Sequence, residues 1–462
     1  MALRFCNTFL RQSMRCSVKV HTAAPGENAS WLLNTISGGG VGRLKTGGQI
    51  GLHFTPVCFI ASEAVSGMLL KGKATETHDS LCHYPASVPP DNAEQMSLLV
   101  NHPDQPENSK ILKVAIIGLP NAGKSTLSNQ LLGRKVFAVS NKVHTTRSRA
   151  QGVLTEDDTQ IVLLDTPGLT TPSKVKRHQL ERSFLVDPRN SVQEADLVLV
   201  LVDVSDKWTR NKLGFEVLKC LAQNPNIPAV LVLNKVDLLK GKNMLLDLTV
   251  KLTEGVVNGK KIRVRDSPLA EKKGQDIKNA ATERDENKRG GGETAERPPS
   301  LPLPLTAGSL SKEALKELRT HQGWPLFKDV FMLSAVDVED VEALKRYLVV
   351  NAKPGSWHYH SGVLTDQNPQ EICTNTVREK LLEYLPQEVP YNVIQTIEIW
   401  QEGEKGELDI LLKLYVKKET HMRMLIGQAG QMVAKIAQEA GLDLMKVFLC
   451  DVKLRISVKL KK

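Results

Sequence analysis

The chain has 462 residues, 24% charged and 41% hydrophobic, with a formal net charge of +10. Its length exceeds the roughly 250–300 residues at which one hydrophobic core stops growing, so two or three domains are expected, and no apolar run reaches the ~20 residues of a membrane-spanning helix. Seven cysteines scattered without C-x-x-C or metal-like spacing argue against a disulfide framework and a zinc module and fit a reducing compartment. The basic balance favours a polyanionic partner or surface, with plain solubility as the alternative.

At the amino end, Arg4, Arg11, Arg15 and Lys19 alternate with Leu3, Phe5, Phe9, Leu10 and Met14, and no acid precedes Glu27. An acid-free, Arg-bearing, amphipathic start reads as a mitochondrial transit peptide over residues 1–25 rather than a secretory signal, whose unbroken apolar core is missing. A merely basic tail is the alternative. Residues 26–107 mix Gly-rich, Pro-rich and short apolar pieces without sustained periodicity, and are expected to be poorly ordered.

Residues 108–350 alternate apolar runs with amphipathic stretches, which predicts an α/β domain with a mostly parallel sheet and helices on both faces. Ligands on such sheets sit beyond the carboxyl ends of the strands. The first such end, after Val114–Ile117, carries Gly118, Leu119, Pro120, Asn121, Ala122, Gly123, Lys124 and Ser125, which fit G-x-x-x-x-G-K-[ST]. In that loop, backbone N–H groups surround the α and β phosphates of a nucleotide, Lys124 reaches the β and γ phosphates, and the Ser125 hydroxyl ligates Mg²⁺. Lys124 is also the expected stabiliser of transition-state charge. A hydroxyl-bearing loop follows, His144-Thr145-Thr146-Arg147-Ser148, where Thr145 or Thr146 can complete the Mg²⁺ shell while a γ-phosphate is present; an ST-turn is the plainer reading.

Three further signals make the nucleotide GTP. Asp165, Thr166, Pro167 and Gly168 close the run Ile161–Leu164, with the aspartate placed for Mg²⁺ and the Gly168 N–H for a γ-phosphate. Asn234, Lys235, Val236 and Asp237 close Ala229–Leu233; the Asp237 carboxylate can accept from guanine N1–H and its exocyclic amine, a donor pair adenine lacks. Ser334 and Ala335 follow Val330–Leu333 and place a backbone N–H near guanine O6. Leu169 occupies the position where Ras-type enzymes carry a water-orienting glutamine, so intrinsic hydrolysis is expected to be slow. Between Asp237 and Ser334, residues from about 258 to 309 mix dense opposite charges with Gly290–Gly292 and a PPSLPLP stretch, which reads as a solvated insertion.

The tail, residues 365–462, begins with a helical pattern (Glu371–Leu385) and two strand-like runs, Asn392–Trp400 and Glu407–Val416. A helix then leads to Gly427, Gln428, Ala429 and Gly430, followed by a helix over Met432–Ala440 and a strand over Val452–Leu460. Helix, GxxG, helix, strand after two strands is the order of a type II KH domain, an α+β fold whose small loop brings N–H groups to nucleic-acid phosphates beside a groove for about four unpaired bases. Gln428 and Ala429 stand where a cation often sits, and Arg423, Lys435 and Lys453 are candidates to compensate; Met422, Met424, Leu425 and Ile426 read as core.

GLPNAGKS, HTTR, DTPG and NKVD in this order, with the KH-like tail, resemble the Era family of GTPases over about residues 110–255 and 325–460. The resemblance implies a GTPase using GTP with Mg²⁺ that binds the 3′ region of small-subunit ribosomal RNA through its KH domain and assists small ribosomal subunit assembly. With the presequence-like start it implies the mitochondrial matrix, with peripheral contact to the inner membrane. It also places Asn121 where some relatives hold K⁺ against the phosphates. Two other classes stay open: an RNA-binding assembly factor with structural GTP, and a signalling or trafficking G protein with a protein-binding tail. The ending Leu460-Lys461-Lys462, without a cysteine to lipidate, counts against the last.

Overall fold

The structure, a computed structural model, describes residues 87–140, 150–166, 168–169, 183–262, 310–386, 388–404 and 406–461. The presequence-like start, residues 26–86, the threonine loop with Thr145 and Thr146, Pro167 and residues 263–309 of the insertion lie outside the described residues. The chain divides into two compact units: residues 96–367, and residues 368–462 with those up to Gln95.

After α1 (Asn92–Val100), the larger unit runs β1 (Lys110–Gly118), α2 (Lys124–Leu132), β2 (Ala150–Glu156), β3 (Thr159–Asp165), α3 (Ser183–Glu194) and β4 (Leu197–Asp203). It continues with α4 (Phe215–Gln223), β5 (Ala229–Asn234), α5 (Met244–Leu252), the two-residue strands β6 (Val256–Val257) and β7 (Lys260–Lys261), α6 (Lys312–Leu318), β8 (Phe327–Leu333), α7 (Val338–Val350) and β9 (Lys353–Pro354). The main sheet has the order β2-β3-β1-β4-β5-β8, parallel except for β2 on β3, with β9 antiparallel on β1. β3 and β5 are buried along their whole length, as continuous Val, Leu and Ile runs covered on both faces must be. Register aligns the strand ends: Ile116 faces Asp165, Asp203 faces Asn234, and Asn234 faces Leu333. The side chains at those ends therefore converge on one edge of the sheet.

Three boundaries differ from the sequence reading. Part of the stretch expected to be poorly ordered, residues 87–107, is built: it holds α1, Val88 is 1% exposed with its N–H on the Val447 carbonyl at 3.3 Å, and Trp400 Nε1 donates to the Pro90 carbonyl at 2.9 Å. Partners hundreds of positions away order this stretch, and no local periodicity reports them. The α/β unit also runs past residue 350, because Trp357 is buried with Nε1 donating to the Lys110 carbonyl at 3.1 Å, and the Val153 N–H takes the Leu364 carbonyl at 2.8 Å. Third, the insertion does not start at 258: Asn258 (φ 50°) and Gly259 (φ 71°) form the two-residue turn between β6 and β7. Asn-Gly with both φ positive matches a right-twisted hairpin, and that signal was present in the sequence.

The smaller unit comprises α8 (Pro369–Tyr384), β10 (Ile394–Glu402), β11 (Leu408–Val416), α9 (Glu419–Ile426), α10 (Gln431–Phe448) and β12 (Val452–Leu460). β11 pairs antiparallel with β10 and parallel with β12, and strict alternation of buried and half-buried residues along β11 marks one covered face. α8 starts on the Asn368 cap, which accepts from the Gln370 N–H at 2.8 Å, with Pro369 at the first helical position. Lys380 Nζ of α8 meets Asp443 Oδ2 of α10 at 3.0 Å. The second helix does not stop at Ala440; Gly441 lies inside it, and Leu444, Val447 and Phe448 continue its buried stripe. Of the apolar group before the GxxG loop, Leu425 is core, but Met424 is 49% exposed, a correction to its reading as core.

Candidate functional site

The phosphate loop is held by backbone geometry. Asn121 and Gly123 take left-handed φ values of 64° and 95°, and a Cβ at Gly123 would run into Asn234 Nδ2. That amide donates to the Ala122 carbonyl at 2.8 Å, so the buried Asn234 of the base-reading motif ties down the phosphate loop. Lys235, also left-handed at φ 66°, reaches with Nζ to the Asn121 carbonyl at 2.8 Å and to Asp203 Oδ2 at 2.6 Å. Close approach excludes side chains at two further glycines: a Cβ at Gly118 would sit 2.5 Å from the Leu201 carbonyl oxygen, and one at Gly168 would sit 2.7 Å from Pro120 Cα.

Lys124 is buried, with Nζ 3.2 Å from the Leu119 carbonyl and 3.5 Å from that of Gly118. Ser125 Oγ donates to Asp165 Oδ2 at 2.9 Å, and Asp165 Oδ1 is buried without a partner among the described residues. Burial pushes the Asp165 carboxyl up to about 6, opposed by the Lys124 ammonium and the Ser125 hydroxyl. Burial likewise lowers the Lys124 ammonium to about 8, opposed by Asp165. A buried, unpartnered carboxylate oxygen beside a serine hydroxyl is a set of hard oxygen donors that fits Mg²⁺.

On the base side, Ser334 Oγ donates to Asp237 Oδ1 at 2.6 Å and orients the carboxylate. The backbone N–H expected near guanine O6 has an acceptor whichever of the two residues supplies it: Ser334 N–H donates to Asp340 Oδ2 at 2.8 Å, and Ala335 N–H to Asn234 Oδ1 at 2.9 Å. One cleft of about 780 Å³ is lined by residues 119–125, Gly168, Asn234, Lys235, Asp237, Ser334 and Ala335. Among the described residues, Thr166, Val236 and Leu169 sit behind it. The Thr166 hydroxyl donates to the Ile116 carbonyl at 2.9 Å, Val236 packs partly buried against the core, and Leu169 is itself core with its N–H on the Gly118 carbonyl at 3.0 Å. Leu169 therefore supports the phosphate loop through its backbone, and its side chain does not line the cleft. Sequence reasoning missed Asp203, Asp206, Thr209 and Lys212, which also line the cleft. Asp203 ends an apolar strand run just as Asp165 does, and that pattern was available.

In the smaller unit, Gly427 (φ 71°), Ala429 (φ 49°) and Gly430 (φ 79°) take positive φ values, and a Cβ at Gly427 would meet Met432 Cβ at 2.7 Å. Gln428 and Ala429 are exposed just ahead of α10, where the first N–H groups of a helix lack intrahelical acceptors. The candidate cations are partly engaged: Arg423 meets Glu419 at 2.7 Å, and Lys435 Nζ lies 4.1 Å from the centre of the Tyr384 ring.

Fold and site together define a P-loop GTPase domain followed by a KH domain. Residues 113–235 match the family model described as 50S ribosome-binding GTPase, and residues 388–462 match that of the KH domain. The chain is 64% identical to GTPase Era, mitochondrial, of Salmo salar over 464 residues, with all of both chains covered, and 60% identical to its namesake in Danio rerio over 467, again with full coverage. It is similar in structure to a crystal structure of Era in complex with MgGDPNP and nucleotides 1506–1542 of 16S ribosomal RNA, with a TM-score of 0.53, 24% identity, and 76% of this chain and 94% of that one covered. The chain belongs to the Era family of GTPases and is a GTP-hydrolysing enzyme.

Proposed function

We propose that this GTPase is a chaperone of mitochondrial small-subunit ribosomal RNA, which it grips through the GQAG loop of its KH domain while GTP turnover in the cleft gates binding and release during small-subunit assembly. The observation that carries the reading is the coexistence, in one chain, of a phosphate-loop cleft lined by Asp237 and a GxxG loop at a helix start. The relative solved with 16S ribosomal RNA supports the small subunit over the 50S particle named for the broader GTPase family. The amino-terminal composition and the names of the fish relatives support the mitochondrial matrix. The net charge of +10 suits peripheral contact with anionic lipid on the inner membrane, and no described helix is long and apolar enough to cross a membrane.

In this reading, the N–H groups of residues 121–125 receive the phosphates, and Lys124 sits where charge develops between the β and γ groups. Ser125 and Asp165 would hold Mg²⁺, which would supply positive charge against the phosphates. Asp237, steadied by Ser334, accepts from guanine N1–H and the 2-amino group; adenine would leave that carboxylate unpaired. With both Ser334 and Ala335 N–H groups engaged inside the protein, guanine selection rests mainly on Asp237. No side chain at position 169 aims at the γ-phosphate, so hydrolysis is slow unless a cation held near Asn121 adds charge. Crosslinking the protein to RNA in cells and sequencing the recovered RNA tests the role: mitochondrial small-subunit ribosomal RNA should dominate, and recovery of messenger or transfer RNA without it would displace the reading.

A further inference from the structure

The loop between β4 and α4 presents Trp208 with 94% of its surface exposed. An indole carries roughly 150–250 Å² of mostly apolar surface, and such rings are enriched where a partner covers them. The backbone around it is built. Asp206 accepts from the Trp208 N–H at 3.0 Å and from the Thr209 hydroxyl at 2.7 Å, and the Arg210 N–H donates to the Asp206 carbonyl at 3.1 Å. Arg210 also donates to the Val204 carbonyl at 3.2 Å, and Lys212 Nζ to the Arg319 carbonyl at 3.1 Å. Those acceptors are neutral carbonyls that hold both cations in place, and Arg210 also lies close enough to Asp206 to help lower its carboxyl.

The segment Lys207–Lys212 therefore offers one flat ring among three cations, and the single acid beside it, Asp206, is turned into the cap of its own turn. Among the described residues no ring or cation stacks on Trp208. A protein partner needs a broad surface, about 800 Å² a side, whereas a lone ring flanked by cations matches one base with its neighbouring phosphates. Asp206, Thr209 and Lys212 also line the nucleotide cleft, which puts the ring on the cleft's rim. We propose that Trp208 is a stacking platform for an unpaired RNA base, a second RNA contact that belongs to the GTPase unit. The proposal rests on the RNA-chaperone reading and adds to it a site outside the KH domain.

The test uses the full chain, saturated with GDPNP and Mg²⁺, and a fluorescein-labelled RNA corresponding to nucleotides 1506–1542 of 16S ribosomal RNA, read by anisotropy over a range of salt. Trp208→Ala should weaken binding about tenfold with the salt slope unchanged, Trp208→Phe should stay within about threefold, and Lys207→Gln should flatten the slope by about one. Wild-type affinity in Trp208→Ala overturns the proposal. A Gln428→Asp/Ala429→Asp variant separates the two readings: weak binding there with normal binding in Trp208→Ala leaves the KH contact standing alone, normal binding in every variant overturns the proposal and moves the RNA grip to another surface, and no binding by the unmutated chain removes the RNA reading itself. Loss of binding to RNA-free small-subunit proteins in Trp208→Ala, with RNA affinity intact, assigns the ring to a protein and also overturns the proposal.

Discussion

The nucleotide cleft and the GQAG loop both depend on glycines, but the two are enforced differently. At the cleft, the glycines are compressed against other motifs, Gly123 against Asn234 and Gly168 against Pro120, so each part of the site fixes another. At the GQAG loop, Gly427 is compressed only against Met432 of the following helix, Gln428 and Ala429 face solvent, and two nearby cations are engaged with Glu419 and Tyr384. A site built from mutually excluding parts can be selective by itself, whereas an exposed loop needs help from elsewhere on the molecule. The fully exposed Trp208 is where that help is proposed.

The largest expected effect is in the cleft. Lys124→Ala removes the buried ammonium beside Asp165 and should lower GTP turnover by about 100- to 1000-fold, read by phosphate release. Should ribosomal RNA release proceed unimpaired in that variant, hydrolysis is incidental and GTP is structural. Next, K⁺ should accelerate hydrolysis roughly tenfold or more over Na⁺, and Asn121→Ala should abolish the difference; equal rates in the two salts for the unmutated protein would remove the cation from the account. In the KH domain, Gln428→Asp/Ala429→Asp places carboxylates against incoming phosphates and should weaken RNA binding about tenfold. An unchanged affinity there would shift the RNA grip to another surface. The smallest effect is on stability. Gly441 lies mid-helix, and a Cβ there meets Leu454 Cβ at an ordinary 3.9 Å, so Gly441→Ala should stabilise the protein by about 0.5–1 kcal/mol in denaturant titration. Destabilisation would mean that the packing at that turn is tighter than this contact indicates.

Legibility in the sequence followed the same division. The cleft motifs could be read because each is contiguous and each closes an apolar strand, so the chemistry and its position on the sheet are written in the same few residues. Asp203 was overlooked although it closes Leu197–Val202 in the same way; its partner Lys235 comes from another strand end, and the 2.6 Å contact has no local signature. Residues 88–107 and 353–366 escaped for a related reason, since Val88 and Trp357 owe their burial to Val447 and Lys110. The helix expected to end at Ala440 runs on through Gly441, although glycine commonly marks a helix end, because the buried stripe continues past it.

Guanine selection by Asp237 is the claim on which the GTPase assignment of this cleft turns, and isothermal titration of the purified full chain with GTP and with ATP in Mg²⁺ measures it directly. GTP should bind at least about 100-fold more tightly than ATP, because only guanine satisfies the carboxylate that Ser334 holds in place. Equal affinities for the two nucleotides would contradict the account.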